Sequence, residues 1–141
     1  MASESRHEKL VAKVGEKNAE HLEPDEQVEQ AVGGQTGPIH SSAPLALIDV
    51  VRSLSGQLQS RLVILTDRNL YVAYPGFFGQ FEIHEVKAKY PRAEAGKHVR
   101  ALARGALLEI DGEQIHVPLA TMKFVRRLVE ATGGVGAEAA D

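Results

Sequence analysis

The segment 61–66, Arg-Leu-Val-Ile-Leu-Thr, contains four consecutive apolar residues and therefore does not alternate between apolar and polar positions. A strand of this kind is apolar on both faces and has to be covered on both. This predicts a place in the middle of a layered β core. The segment 69–74, Asn-Leu-Tyr-Val-Ala-Tyr, follows after Asp67-Arg68. It is predicted to be the hairpin partner, with Asn69 in the left-handed conformation.

Short apolar runs with turn signals between them fill most of the remaining chain. In 81–90 the apolar positions change phase between Ile83 and Val86, which predicts a β-bulge near His84-Glu85. Asp111-Gly112 is the strongest turn signal in the chain, because type I′ hairpins favour this pair. The predicted strands are 26–32, 61–66, 69–74, 81–90, 99–103, 106–110 and 113–117.

Helical periodicity occurs before the first predicted strand. Leu10, Val14 and Leu22 fall on one side of a helix predicted over 3–22, which ends at Pro24-Asp25. In the first strand, 26–32, we expect Val28 and Val32 to point inward.

Two further helices are predicted later in the chain. A short helix over 43–55 follows the glycine-rich loop 33–38 and is inserted between the first two strands. An amphipathic helix over 121–131 closes the fold and ends at Gly133-Gly134.

These elements predict a mainly β (α+β) fold. Short connections favour antiparallel pairing of consecutive strands, and the last helix can bury its apolar face only against the sheets. The chain has 141 residues, the usual size of one domain. We expect an N-terminal helix over 1–22, a β domain over 23–132 with the helical insertion, and a flexible tail over 133–141.

The hairpin segment 65–72, Leu-Thr-Asp-Arg-Asn-Leu-Tyr-Val, resembles bacterial pleckstrin-homology-like (PH/GRAM-like) domains. Segment 22–28 is similar to the start of such domains, and 110–113 to the turn before their closing helix. The resemblance covers 22–131. It implies a PH-like barrel of about seven antiparallel strands in two near-orthogonal sheets, capped by the C-terminal helix. It also implies a non-enzymatic binding module, since such domains bind phosphoinositides, peptides or proteins, and several form homo-oligomers.

The chain departs from the lipid-binding members of this family at its first long connection. Those members carry a Lys/Arg cluster there, whereas Arg52 and His40 are the only basic side chains in 33–60. An inositol-phosphate pocket of the usual kind is therefore not expected.

Apolar side chains are concentrated in two predicted connections. In an antiparallel meander, the connection between strands one and two and that between strands three and four leave the same end of the sheet. If the two meet, they form an apolar surface of the kind that marks partner or membrane contact. Alternatively, the inserted helix packs on the sheet and one Phe covers the barrel mouth. We call these residues the apolar rim: Leu47, Ile48, Val51, Leu54, Phe77 and Phe78.

Basic side chains are concentrated in 87–104, where six cations stand against Glu94 in a chain of net charge −3. This basic stripe could attract phosphate or anionic lipid. The alternative is a solvated edge that blunts strand pairing. Tyr90 is the only aromatic residue among them, so nucleic acid is not an expected partner. The stripe consists of Lys87, Lys89, Arg92, Lys97, Arg100 and Arg104.

Residues suited to catalysis or metal binding are sparse. The chain has no cysteine, its six histidines show no metal-ligand spacing, and it contains no nucleophile elbow or phosphate loop. Asp67 resembles a potential acid or base, but the role expected for it is that of a turn residue that bonds the following backbone. We therefore expect no enzyme activity, no cofactor, no metal and no small-molecule substrate.

The expected function is that of a cytoplasmic adaptor that binds a protein partner, or its own copies, through the apolar rim. The location follows from the absence of cysteine, of an apolar signal segment and of a stretch of about 20 apolar residues. The alternative is a peripheral membrane module that combines Phe77, Phe78 and Leu47 with the basic stripe.

Overall fold

The computed structural model describes residues 2–36, 60–75 and 81–134, with side chains from residue 6 onward. The helix expected over 43–55, all six residues of the apolar rim and most of the expected tail lie outside these residues. The helices are α1 (Ala2–Lys17), α2 (Arg92–Ala95) and α3 (Met122–Thr132), with short 3-10 turns at Ala19–His21, Ala103–Gly105 and Leu119–Thr121. The strands are β1 (Val28–Gln35), β2 (Ser60–Thr66), β3 (Asn69–Pro75), β4 (Ile83–Pro91), β5 (Val99–Leu102), β6 (Leu107–Ile110) and β7 (Glu113–His116).

The seven strands form one antiparallel sheet in the order β4-β3-β2-β1-β7-β6-β5. β1 and β7 are joined by a single residue pair, Gln35 with His116. In the described residues β4 and β5 stand at the two ends of this order and each pairs with one strand. The sheet is therefore open, and the expectation of a closed barrel is wrong because these two edges do not pair.

β2 is buried on both faces, as its sequence predicts. Leu62 and Ile64 pack in a cluster with Val14 of α1, which we call the α1-side cluster. Val63 and Leu65 pack on the opposite face, in the α3-side cluster, which includes residues of α3 and β5–β7. All four β2 side chains have no solvent exposure. The α1-side cluster consists of Val14, Ala31, Leu62, Ile64, Tyr71, Ala73 and Ile83.

α1 packs on the sheet of its own chain. Val14 is fully buried, and Leu10 and Leu22 lie partly buried against the same cluster, as predicted. At the end of α1 the Asn18 side chain is completely buried and binds the edge of β4. Its Nδ2 donates to the Phe81 carbonyl at 2.8 Å, and its Oδ1 accepts from the Ile83 amide at 2.7 Å.

The predicted end of the first strand is wrong. Gly33 and Gly34, expected in a loop, lie within β1. A Cβ at Gly34 would stand 2.4 Å from the His116 carbonyl oxygen and 2.6 Å from Ile115 Cγ2. Glycine is thus required here for the close approach of β7 rather than for a turn. A bulge between Val28 and Gln30 also places Val28 in contact with the α1-side cluster and Val32 in the opposite one.

Local predictions in the other strands have mixed outcomes. The bulge near His84 is confirmed, since the β3–β4 register skips that residue. The Asp111-Gly112 turn is confirmed by φ angles of 50° and 89°. The left-handed conformation expected for Asn69 is wrong, because its φ is not positive. Its side chain instead binds carboxylates, as described below. The loop expected after Pro91 contains the short helix α2.

The packing around Gly34 predicts that alanine substitution lowers the stability of the protein at Gly34 but not at the neighbouring Gly33. Gly34→Ala should lower the free energy of unfolding by about 2 kcal/mol, the usual cost of forcing an extra carbon into a packed site. Gly33→Ala is the matched control, because its added Cβ would lie 3.5 Å from Phe81 Cε1, an ordinary contact. Urea unfolding of both variants measures the difference. Equal free energies of unfolding for the two variants would contradict the close packing of β7 on β1 at Gly34.

Candidate functional site

Both connections that carry the apolar rim leave the same end of the sheet. β1 ends and β2 begins at the pair Gln35–Ser60, and β3 ends opposite the start of β4 at the pair Pro75–Ile83. Since β2 and β3 also pair in antiparallel register, these four strand termini lie at one end. The expectation that the two connections leave together is confirmed. We call this region the sheet end.

A recess of about 300 Å³ lies at the sheet end. Leu10 of α1, Phe81 and Pro118 contribute apolar wall, and Ser60, Gln35 and Thr121 contribute polar atoms. The recess therefore joins the strand termini to α1 on one side and to the segment before α3 on the other.

Arg61 lines this recess and is only 4% exposed. Its Nε donates to Glu113 Oε1 at 2.8 Å and its Nη2 donates to Glu113 Oε2 at 3.1 Å, while the guanidinium lies 4.7 Å from the Tyr74 ring centroid. Burial alone would raise the pKa of Glu113, but the hydrogen bonds from Arg61 and Lys87 outweigh it and leave the pKa below its ordinary value. The arginine charge is thus compensated inside the protein, and the pair joins β2 to β7.

A second carboxylate with several donors, Glu26, lies at the opposite end of the sheet and is buried, at 7% exposed. It accepts hydrogen bonds from the Thr66 hydroxyl, from the Tyr71 hydroxyl at 2.7 Å, from Asn69 Nδ2 at 2.9 Å and from the Glu23 amide at 2.8 Å. Four donors saturate both oxygens. This carboxylate fastens the segment before β1 to the β2–β3 hairpin, and no position on it is left for a substrate.

The protonation states of this cluster agree with a structural role. Burial would raise the pKa of Glu26, but the hydrogen bonds, led by the one from Thr66, together keep it below the ordinary value. Burial, and then the hydrogen bond to Glu26, raise the pKa of Tyr71 well above its ordinary value. The carboxyl is therefore ionised and the phenol protonated near neutral pH, so neither exchanges protons there. The sequence offered no separate signal for this cluster.

A surface cluster is formed by Tyr90 of β4, His98 directly before β5 and Asp111 of the β6–β7 turn, of which only Asp111 is exposed. The Tyr90 hydroxyl donates to Asp111 Oδ2, His98 Nδ1 lies 2.8 Å from Asp111 Oδ1, and the two rings stack with centroids 4.2 Å apart. The hydrogen bond from Tyr90 and then that from His98 lower the pKa of Asp111. Burial and the bond to Asp111 raise the pKa of Tyr90 to about 12. Tyr90 thus stacks within the protein and bridges β4 to a distant turn.

The basic stripe is largely paired with carboxylates from distant segments. Lys87 lies 3.2 Å from Glu113, and Lys89 lies 3.1 Å from Glu23. Arg92 pairs with Glu29, and Arg100 with Glu109. Among the described residues, Lys97 and Arg104 take part in no ion pair. The stripe is continuous in sequence, but Lys87 and Lys89 lie on β4 and Arg100 lies on β5, strands at opposite ends of the sheet order.

Asp67 does not have the local role expected for it. Its Oδ1 accepts from the Gln27 amide at 2.9 Å, and its own amide donates to the Gln27 carbonyl at 3.0 Å. It therefore ties the hairpin turn to the segment before β1. The turn itself is bonded by Thr66, whose Oγ1 accepts from the Arg68 and Asn69 amides.

The described residues show neither a metal-binding cluster nor a membrane-spanning helix. In residues 2–36, 60–75 and 81–134, no group of His, Asp or Glu side chains is arranged to hold a metal ion. Over those same residues, no helix has the length and apolar content needed to cross a membrane.

Comparison with known proteins gives no relatives. The chain matches no family model, no curated protein and no solved structure. Inferences about its function therefore come from its own residues and geometry.

Because its four donors already occupy both oxygens, Glu26 should be sensitive even to a substitution that keeps its size and shape. Glu26→Gln should lower the free energy of unfolding by about 1–3 kcal/mol, because an amide nitrogen would face donors that only an acceptor satisfies. Glu82→Gln, at an exposed position, removes the same charge and should have little effect. Chemical denaturation of both proteins measures this. Equal loss in the two variants would contradict the role assigned to Glu26.

The same carboxylate predicts a pH dependence. Because the folded-state pKa of Glu26 is lowered, its stabilising contribution is present above the unfolded value, about 4.3, and is lost as pH falls through the folded value. Wild-type stability should thus fall more steeply on acidification than that of Glu26→Gln. Denaturation midpoints over an acidic pH series test this, and parallel curves would refute it.

Proposed function

We propose that this protein is a non-enzymatic, PH-like binding module that makes protein–protein or self-association contacts through the apolar rim at the sheet end. The observation that carries the proposal is the convergence of the two rim-bearing connections. The strand pairs Gln35–Ser60 and Pro75–Ile83 start both of them at the same end of one sheet. The two connections that carry these apolar residues, far apart in sequence, thereby start and end at one end of the sheet.

The arrangement of strands supports the PH-like part of the proposal. Four strands, β1–β4, and three strands, β5–β7, meet at the single pair Gln35–His116. Lys87 of β4 and Arg61 of β2 both reach Glu113 at the start of β7. In our proposal the sheet bends at this junction into two near-orthogonal layers, with α3 packed on the core between them.

The packing of β2 supports the contact role of the rim. One face of β2 lies against α1, and the other against α3 and β5–β7. The sheet therefore has covers on both faces that come from other parts of the chain. We propose that the rim is not needed to cover β2 and instead contacts a partner, where burying one Phe in an interface is worth about 1.5–3 kcal/mol.

The alternative, a peripheral module for anionic lipid, has less support. It needs an uncompensated positive surface, and four of the six stripe cations are paired with carboxylates. Within the proposal the module needs no cofactor, nucleic acid or small-molecule substrate, and its lack of cysteine suits the cytoplasm.

Self-association through the rim is tested by sedimentation velocity over a concentration series. The wild type should form oligomers, and the double variant Phe77→Asp with Phe78→Asp should weaken association about tenfold or more. The matched control places two carboxylates on exposed positions elsewhere, Ala12→Asp with Ala93→Asp, and should behave as wild type.

A protein partner is tested by affinity capture with the same variants. Loss of a captured protein with the Phe variant, but not with the Ala variant, supports the rim. If wild type and both variants sediment as the same monomer and capture the same proteins, the rim has no contact role.

A further inference from the structure

Leu119 is the most exposed large apolar side chain among the described residues, at 83%. Its backbone is held in place. Val117 is buried and its amide donates to the Ala106 carbonyl at 3.1 Å, and the Thr121 amide donates to the Pro118 carbonyl at 2.9 Å. The exposure of Leu119 is therefore imposed by an ordered 3-10 turn, not by a frayed end.

Three residues of α3 lie on the same surface as Leu119. Met122, Lys123 and Arg126 follow it by three, four and seven residues, the spacing of one helix face. Each of the three is half-buried. Together with Ala120 they line a shallow groove of about 390 Å³ that has Leu119 as an apolar wall.

A strained turn holds a further cation beside this groove. Ala103, Arg104 and Gly105 have φ angles of 50°, 60° and 99°, which non-glycine residues adopt at a cost. The turn fits closely on α3, since a Cβ at Gly105 would stand 2.5 Å from the Met122 carbonyl oxygen. Arg126 Nη1 donates to the Arg104 carbonyl at 3.2 Å. The side chain of Arg104 is exposed, and its backbone is bonded by Arg126, a residue that lines the groove.

The two charged residues that line the groove, Lys123 and Arg126, are both cations. Segment 114–129 contains no Asp or Glu. Among the described residues, neither Arg104 nor Arg126 takes part in an ion pair. A partly apolar groove with cations in its lining is complementary to an occupant that carries carboxylates and an apolar side chain.

The geometry points to a binding site for an acidic polypeptide segment in this groove, with an apolar side chain of the segment packed against Leu119 and Met122 and its carboxylates held by Arg104 and Arg126. A concave groove accepts a protruding side chain, which the plane of a lipid surface does not supply. The site goes beyond the proposed function, because it uses none of the rim residues.

The test uses the full chain and a random copolymer of glutamate and tyrosine as probe, with binding followed by fluorescence anisotropy of the labelled copolymer. Leu119→Ser and the pair Arg104→Gln with Arg126→Gln should each weaken binding about fivefold or more. The matched control Lys9→Gln with Lys13→Gln removes two exposed cations from α1 and should bind as wild type. Polyglutamate, which has no apolar side chain, should bind more weakly and be insensitive to Leu119→Ser.

The proposal is overturned if the copolymer fails to bind, or binds wild type and variants alike. It is also overturned if vesicles of phosphatidylcholine with phosphatidylglycerol, and not the copolymer, give binding that depends on Leu119. Phe77→Asp with Phe78→Asp should leave copolymer binding unchanged, which separates this site from the rim.

Discussion

The burial of β2 on both faces is the constraint on which the rest of the structure depends. Leu62 and Ile64 need one cover, and Val63 and Leu65 need another. α1 supplies the first, and α3 with β5–β7 supplies the second. Because both covers come from the same chain, the N-terminal helix is part of the folded unit, and β1 is held between the two clusters with Ala31 in one and Val32 in the other.

Ion pairs and hydrogen bonds join parts of the fold in addition to the packing of the two apolar clusters. Arg61 and Lys87 converge on Glu113 and join β2 and β4 to β7, where the backbone contributes only the Gln35–His116 pair. Glu26 performs the same task at the other end of the sheet. Glu26 is buried and Glu113 half-buried, and each has its donors already in place, which explains why these charged residues stabilise the fold without forming a reactive site.

Much of the fold could be predicted from local patterns, because strand periodicity and turn residues act over short distances. The double-sided β2, the Asp111-Gly112 turn and the bulge at His84 are of this kind. The position of Gly34 within a strand could not be predicted, since the glycine is required there by the close approach of β7, which lies far along the chain. Likewise, the partners of Lys87 and Lys89 are carboxylates that only the tertiary fold brings near. The convergence of the two connections was predictable from antiparallel order, whereas the packing of the turn at Gly105 on Met122 of α3 was not.

Native-state hydrogen exchange of the β2 amides tests the central claim most directly. If β2 is covered on both faces, the amides of Val63 and Ile64 exchange only when the whole domain unfolds. Their opening free energy then equals the free energy of unfolding measured with denaturant. An opening free energy far below that value would show that one face of β2 is exposed in solution, and would contradict the account.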